Sequence, residues 1–122
     1  MAVSTRISPL NSLIFVHGPA KWVSPLPVRG QLIWSTPSCV ATACYPEIEG
    51  PTEIVLGVGE EVALQTLPAF DGMVDTPEKL VVVTTVGDDQ PVLQLGVSTV
   101  QTRVRIWHSD PRWPEIVAIG LN

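Results

Sequence analysis

Val100-Gln101-Thr102-Arg103-Val104-Arg105-Ile106-Trp107-His108 alternates without a break. Val100, Thr102, Val104 and Ile106 fall on one side of an extended chain, and Gln101, Arg103, Arg105 and Trp107 on the other. Successive side chains of a strand point to opposite faces, so this stretch reads as a strand with one face in a core. The same parity sets Trp107 beside Arg103 and Arg105 on the more polar face. An exposed or stacked indole there would mark an interface.

Outward from that strand the pattern repeats. Ser109 to Pro114 reads as a turn and Glu115 to Leu121 as a closing strand. On the other side, Lys79 to Val86 is almost continuously apolar and β-branched, as expected of a central strand covered on both faces. Gly87-Asp88-Asp89-Gln90 turns the chain, and Val92 to Ser98 runs back. Thr52 to Leu56 and Glu60 to Thr66 alternate about Gly57-Val58-Gly59, which predicts a hairpin with one wet face. Gly30 to Thr36 and Cys39 to Tyr45, separated by Pro37-Ser38, predict a second hairpin or one kinked strand. Asn11 to His17, closed by Gly18-Pro19, is the first expected strand. Thr66 to Glu78 reads as a long loop with room for one helical turn.

Twelve prolines and nine glycines recur at intervals of short strands, and no window holds a helical apolar period for three turns without meeting one of them. The expected fold is all-β: a single antiparallel β-sandwich or barrel of about eight to nine short strands, spanning residues 1–122, with little or no helix. The 122 residues suit one domain, large enough to fold without a metal or disulfide staple. Only 16% of residues are charged against 45% hydrophobic. That excludes disorder, and a surface so poor in charge is expected to be partly hidden in an oligomer or complex.

No apolar run approaches the ~18 residues of a membrane span, and Asn11, Ser12 and His17 break the N-terminal one too early for a signal peptide. A cytoplasmic protein is expected, with no membrane partner. Cys39 and Cys44, five apart, point to opposite faces of one strand. They are expected to be buried free thiols, since their spacing matches no zinc or redox motif.

Charge is unevenly distributed. Residues 1–46 carry Arg6, Lys21 and Arg29 and no acid; residues 47–89 carry ten acids against Lys79; the remainder is nearly balanced. An acidic block disfavours nucleic acid, which needs a basic face, and suits a basic protein partner. Glu47, Glu49, Glu53, Glu60 and Glu61 are expected to crowd around one hairpin, unless they only solvate its outer face and protect an edge. Asp110-Pro111-Arg112-Trp113-Pro114 is a second interaction candidate, because Trp113 and Arg112 are residue types enriched in binding hot spots and the prolines stiffen the loop. Trp113 would otherwise serve as a lid on the core.

Catalytic motifs are missing. His17 and His108 both end apolar strands, and the consecutive His108, Ser109 and Asp110 diverge in an extended chain instead of forming a triad. Asp71, Asp75, Asp88 and Asp89 match no calcium-loop spacing and suit turns. No cofactor and no metal are expected. The leading reading is a non-enzymatic protein-binding domain with an acidic surface for a basic partner, such as an inhibitor or immunity-type protein. Its partner-binding residues would be Glu47, Glu49, Glu53, Glu60, Glu61, Arg103, Arg105, Trp107, Arg112 and Trp113. A structural β-sandwich subunit of a phage or secretion assembly is the alternative, and a small enzyme using His17 or His108 with carboxylates a third.

Overall fold

The computed structural model describes residues 2–122, which form ten strands. These are β1 (Val3–Ile7), β2 (Leu13–His17), β3 (Ile33–Thr36), β4 (Cys39–Ala43), β5 (Thr52–Val58), β6 (Phe70–Asp75), β7 (Leu80–Thr85), β8 (Asp88–Gly96), β9 (Gln101–His108) and β10 (Ile116–Leu121). They make two five-stranded sheets, ordered β1-β5-β10-β9-β6 and β3-β4-β2-β7-β8. The expected all-β sandwich is therefore borne out. Every pairing is antiparallel except β5 with β10, which runs parallel. Those two strands lie far apart in sequence, so no tight turn dictates their relative direction. Among the described residues no helix is long and apolar enough to cross a membrane.

The two sheets share one core. Ile14, Val16, Val40, Val81 and Val83 from the second sheet meet Ile54, Leu56, Val104, Ile106, Val117 and Ile119 from the first, all fully buried. Each such side chain contributes ~1.5–3 kcal/mol by leaving water. In β9, Thr102, Val104 and Ile106 point inward as alternation requires.

Four local expectations need correcting. Glu60 to Thr66 is not the second arm of a hairpin: β5 runs on through Gly57 and Val58 to pair with Gly120 and Leu121, and the chain then winds a short 3₁₀ turn at Gly59–Val62. The positive φ sits at Gly59 (57°), two residues later than a turn at Gly57 would need. Alternation in Glu60 to Thr66 therefore reflects Val62 and Leu64 covering Trp107, not strand pairing. Next, Thr66 to Glu78 contains β6, whose Asp71 and Met73 stand opposite Arg105 and Arg103 on β9; its charged, glycine-bearing sequence masks an edge strand. Val3–Ile7 is likewise a strand, with Val3, Thr5 and Ile7 half-buried and Ser4 and Arg6 exposed. Finally, the turn after β7 is Val86-Gly87, and Asp88 to Pro91 already belong to β8. These differences bring the strand count to ten.

Both outer faces are partly roofed. Residues 18–32 cross the outside of the second sheet as an irregular strap. The Thr36 hydroxyl donates to the Val23 carbonyl (2.7 Å), the Val23 amide donates to the Ser38 hydroxyl (2.8 Å), and the Trp34 indole donates to the Val28 carbonyl (3.0 Å). Trp22 from this strap stacks on His17 with centroids 3.9 Å apart and lies 5.8 Å from Phe15. Over the first sheet, the 3₁₀ turn buries Val62 against Trp107 and Ala118.

Candidate protein-binding cleft

At the end of the sandwich where β4 leaves the second sheet and β10 enters the first, two connections face each other. The turn after β4 supplies Tyr45, Pro46, Ile48 and Glu49; the β9–β10 connection supplies Ser109, Asp110, Trp113 and Glu115, and β10 its first residue, Ile116. Together they line a cleft of about 910 Å³, within the range typical of ligand sites.

Each wall is fixed locally. The Asp110 carboxylate accepts the backbone amides of Arg112 (2.9 Å) and Trp113 (2.8 Å), and these bonds hold its pKa below the ordinary aspartate value. The Ser109 hydroxyl accepts the Ile116 amide (2.9 Å), so both ends of the connection are tied. Across the cleft, the Glu47 amide donates to the Ser12 hydroxyl (3.0 Å) and the Tyr45 amide to the Thr52 hydroxyl (3.0 Å). The walls present apolar groups to water: Ile48 is 91% exposed and Trp113 53%.

The expected site residues divide among several places. Glu49 and Trp113 line this cleft, while Glu47 and Arg112 lie on the same two connections outside its lining. Glu53 lies on β5, in register with Arg6 of β1. Glu60 and Glu61 sit beyond the opposite end of β5, about 20 Å away at ~3.3 Å per strand residue. There Glu60 approaches Arg105 (3.6 Å), and Glu61 accepts the Val58 amide (2.8 Å), which lowers its pKa. Arg103 makes a two-point ion pair with Asp71 on β6, at 2.9 and 2.7 Å, which holds the Asp71 carboxyl below its usual value. The five glutamates thus do not surround one hairpin, because that hairpin does not form.

Trp107 needs a correction too. Parity does place it beside Arg103 and Arg105, but it is only 2% exposed. Val62 covers it, and the Arg105 guanidinium lies 5.4 Å from its ring centre. Trp107 is thus the centre of a second small core, not of an open interface.

The histidines are buried in different sheets. His17 Nδ1 donates to the Gly18 carbonyl (2.6 Å), so Nε2 accepts from the Thr84 hydroxyl (2.9 Å). His108 Nε2 bonds the Thr42 hydroxyl at 2.7 Å. Burial lowers the pKa of both rings. His17 lines a groove of about 560 Å³ that also includes Asp88 and Asp89, where its two ring nitrogens are already engaged. Among the described residues no three His, Cys, Asp or Glu side chains are grouped to hold a metal ion.

No protein-family model matches the chain, and no curated protein sequence matches it. The fold does have a counterpart among solved structures. ComJ from Bacillus subtilis, an inhibitor of the DNA-degrading activity of NucA, superposes with a TM-score of 0.66 over 98% of this chain and 93% of its own. The two sequences are 9% identical, so the likeness is one of fold.

Tyr45, Ile48 and Glu115 were not among the residues expected from sequence. Ile48 carried a signal: a lone aliphatic residue between two glutamates, just before Gly50-Pro51, has no strand to belong to. Tyr45 and Glu115 read as ordinary strand-end residues, and only the meeting of two remote connections gives them a shared surface.

Proposed function

We propose that this chain is a non-enzymatic protein-binding domain of the inhibitor type, which docks a basic partner through the cleft between the β4–β5 and β9–β10 connections. One observation carries the reading: exposed Trp113 and Ile48 stand among Glu49, Asp110 and Glu115 on connections tied by their own hydrogen bonds. Apolar anchors supply affinity once water is excluded, while surrounding charge sets partner choice and association rate. Support also comes from ComJ, a protein of like fold that is an inhibitor of a DNA-degrading activity. A nuclease, whose substrate-binding face must be basic, fits as the partner.

The test is capture from an extract of the native host on immobilised protein at low and high salt, followed by a DNA-degradation assay of what is captured. A basic protein should be retained at low salt and released at high salt. Retention should be lost with Trp113→Ala and with Glu49→Lys, and unchanged with Glu78→Gln on the opposite end. If the captured protein degrades DNA, adding the chain should suppress it. Binding indifferent to salt and to both cleft variants defeats the proposal.

A further inference from the structure

Resting on the reading of the cleft as a protein-binding site, we propose that its central occupant is a single arginine side chain of the partner. Most of the lining is apolar, supplied by Tyr45, Pro46, Ile48, Trp113 and Ile116, and three carboxylates, Glu49, Asp110 and Glu115, share that lining. An aliphatic side chain would satisfy the walls but leave Glu49, Glu115 and the Asp110 carboxylate, already bonded to two backbone amides through one oxygen, beside an uncharged occupant in a site losing its water, which is costly. A lysine would bring charge, but its ammonium is a compact, strongly hydrated point. Arginine matches both halves of the site. Its methylene stem covers apolar wall, its planar guanidinium stacks on an indole face, and its five donors reach acceptors spread around a rim. The β4–β5 connection crosses from the second sheet to the first and the β9–β10 connection stays within the first; each is held by its own hydrogen bonds, so the walls are set before an occupant arrives. Little ordering is left to be done on binding.

The experiment titrates isotope-labelled protein with Nα-acetyl-arginine amide, its lysine counterpart and its citrulline counterpart, and follows the Trp113 indole and backbone resonances by NMR. Arginine amide should give saturable shifts confined to residues 45–49 and 109–116. Lysine amide should bind several-fold more weakly, and citrulline, a neutral near-isostere, should give no saturable shift. Trp113→Ala should abolish the arginine response, as should the pair Glu49→Gln with Glu115→Gln, while the remaining spectrum reports that each variant is folded. Equal response to lysine, shifts as large at Asp71 and Asp88 as in the cleft, or no saturable shift would each overturn the arginine proposal. If the amide fails while partner capture still depends on Trp113 and on salt, only the arginine proposal falls. If both are indifferent to the cleft, the protein-binding reading falls with it.

Discussion

Buried titratable side chains set two measurable properties at the scale of single residues. Cys39 and Cys44 are free and buried, and burial raises both thiols to about 12. Since the thiolate is the reacting form, neither should be labelled by a thiol reagent in the native protein, and both should react once urea unfolds it. Rapid labelling without denaturant would contradict the burial. His17 and His108 titrate below the ordinary histidine value of 6.5 because burial disfavours their charged forms. The unfolded chain therefore takes up protons first as pH falls through 6.5, and their stabilising contribution, complete above that value, disappears as pH falls through the folded-state values. The urea midpoint should drop between pH ~7.5 and ~5, and the double variant His17→Gln, His108→Gln should flatten that slope. An equally steep slope in the variant would assign the effect to other groups. Opposite pointing of the two cysteines was legible from their spacing, since strand parity is local. Burial of both thiols was also expected from their apolar surroundings, and both are buried.

At the scale of elements, the close crossing of Gly59 over β10 shows where local pattern loses to packing. A Cβ on Gly120 would stand 2.2 Å from the Gly59 carbonyl oxygen and 3.0 Å from the Trp107 ring. Gly59 itself has a φ of 57°, in the region that favours glycine. Gly120→Ala should therefore push the Gly59–Val62 turn off the sheet and cost ~1–3 kcal/mol, as overpacking does. Chemical denaturation should show the lower midpoint, and tryptophan emission should shift to the red as Trp107 gains water. A variant as stable as the parent, with unchanged emission, would mean that the crossing is loose. The strands with regular alternation or unbroken β-branched runs, β9, β7 and β10, could be read directly from sequence. β6 could not, because Asp71, Gly72 and Asp75 have the composition of a turn, and its place is secured by pairing with β9 and by the Arg103–Asp71 ion pair. The supposed hairpin arm after Gly59 failed for the converse reason: its period-2 pattern is real, but it serves packing over Trp107.

At the scale of the whole molecule, both sheets contribute to one core, so they are expected to unfold together. Tryptophan emission, which draws on both sheets through Trp34 and Trp107, and cysteine accessibility, which reports on β4 and the residue after it, should follow one urea transition; separated midpoints would show two units. Long-range charge adds a second expectation. With a net charge of −5, association with the basic partner proposed above should slow steeply as salt rises, while the Trp113→Ala variant should mainly speed dissociation. A stopped-flow comparison that shows the reverse would remove the division of labour between acid rim and apolar anchor. The sequence by itself determined the all-β class, the inward faces of the regular strands, the acidic middle third and the aromatic loop at Trp113, because these follow from alternation, turn residues and composition, all local quantities. Only the tertiary structure decided which acids keep company. It sent Glu60 and Glu61 to the end of the first sheet opposite Glu49, buried Trp107, and brought Tyr45, Ile48 and Glu115 to Trp113. Those neighbours come from segments some sixty residues apart, and what joins them is the parallel pairing of β5 with β10, the strands into which the two connections lead, including the Glu53 amide bonded to the Glu115 carbonyl (2.8 Å).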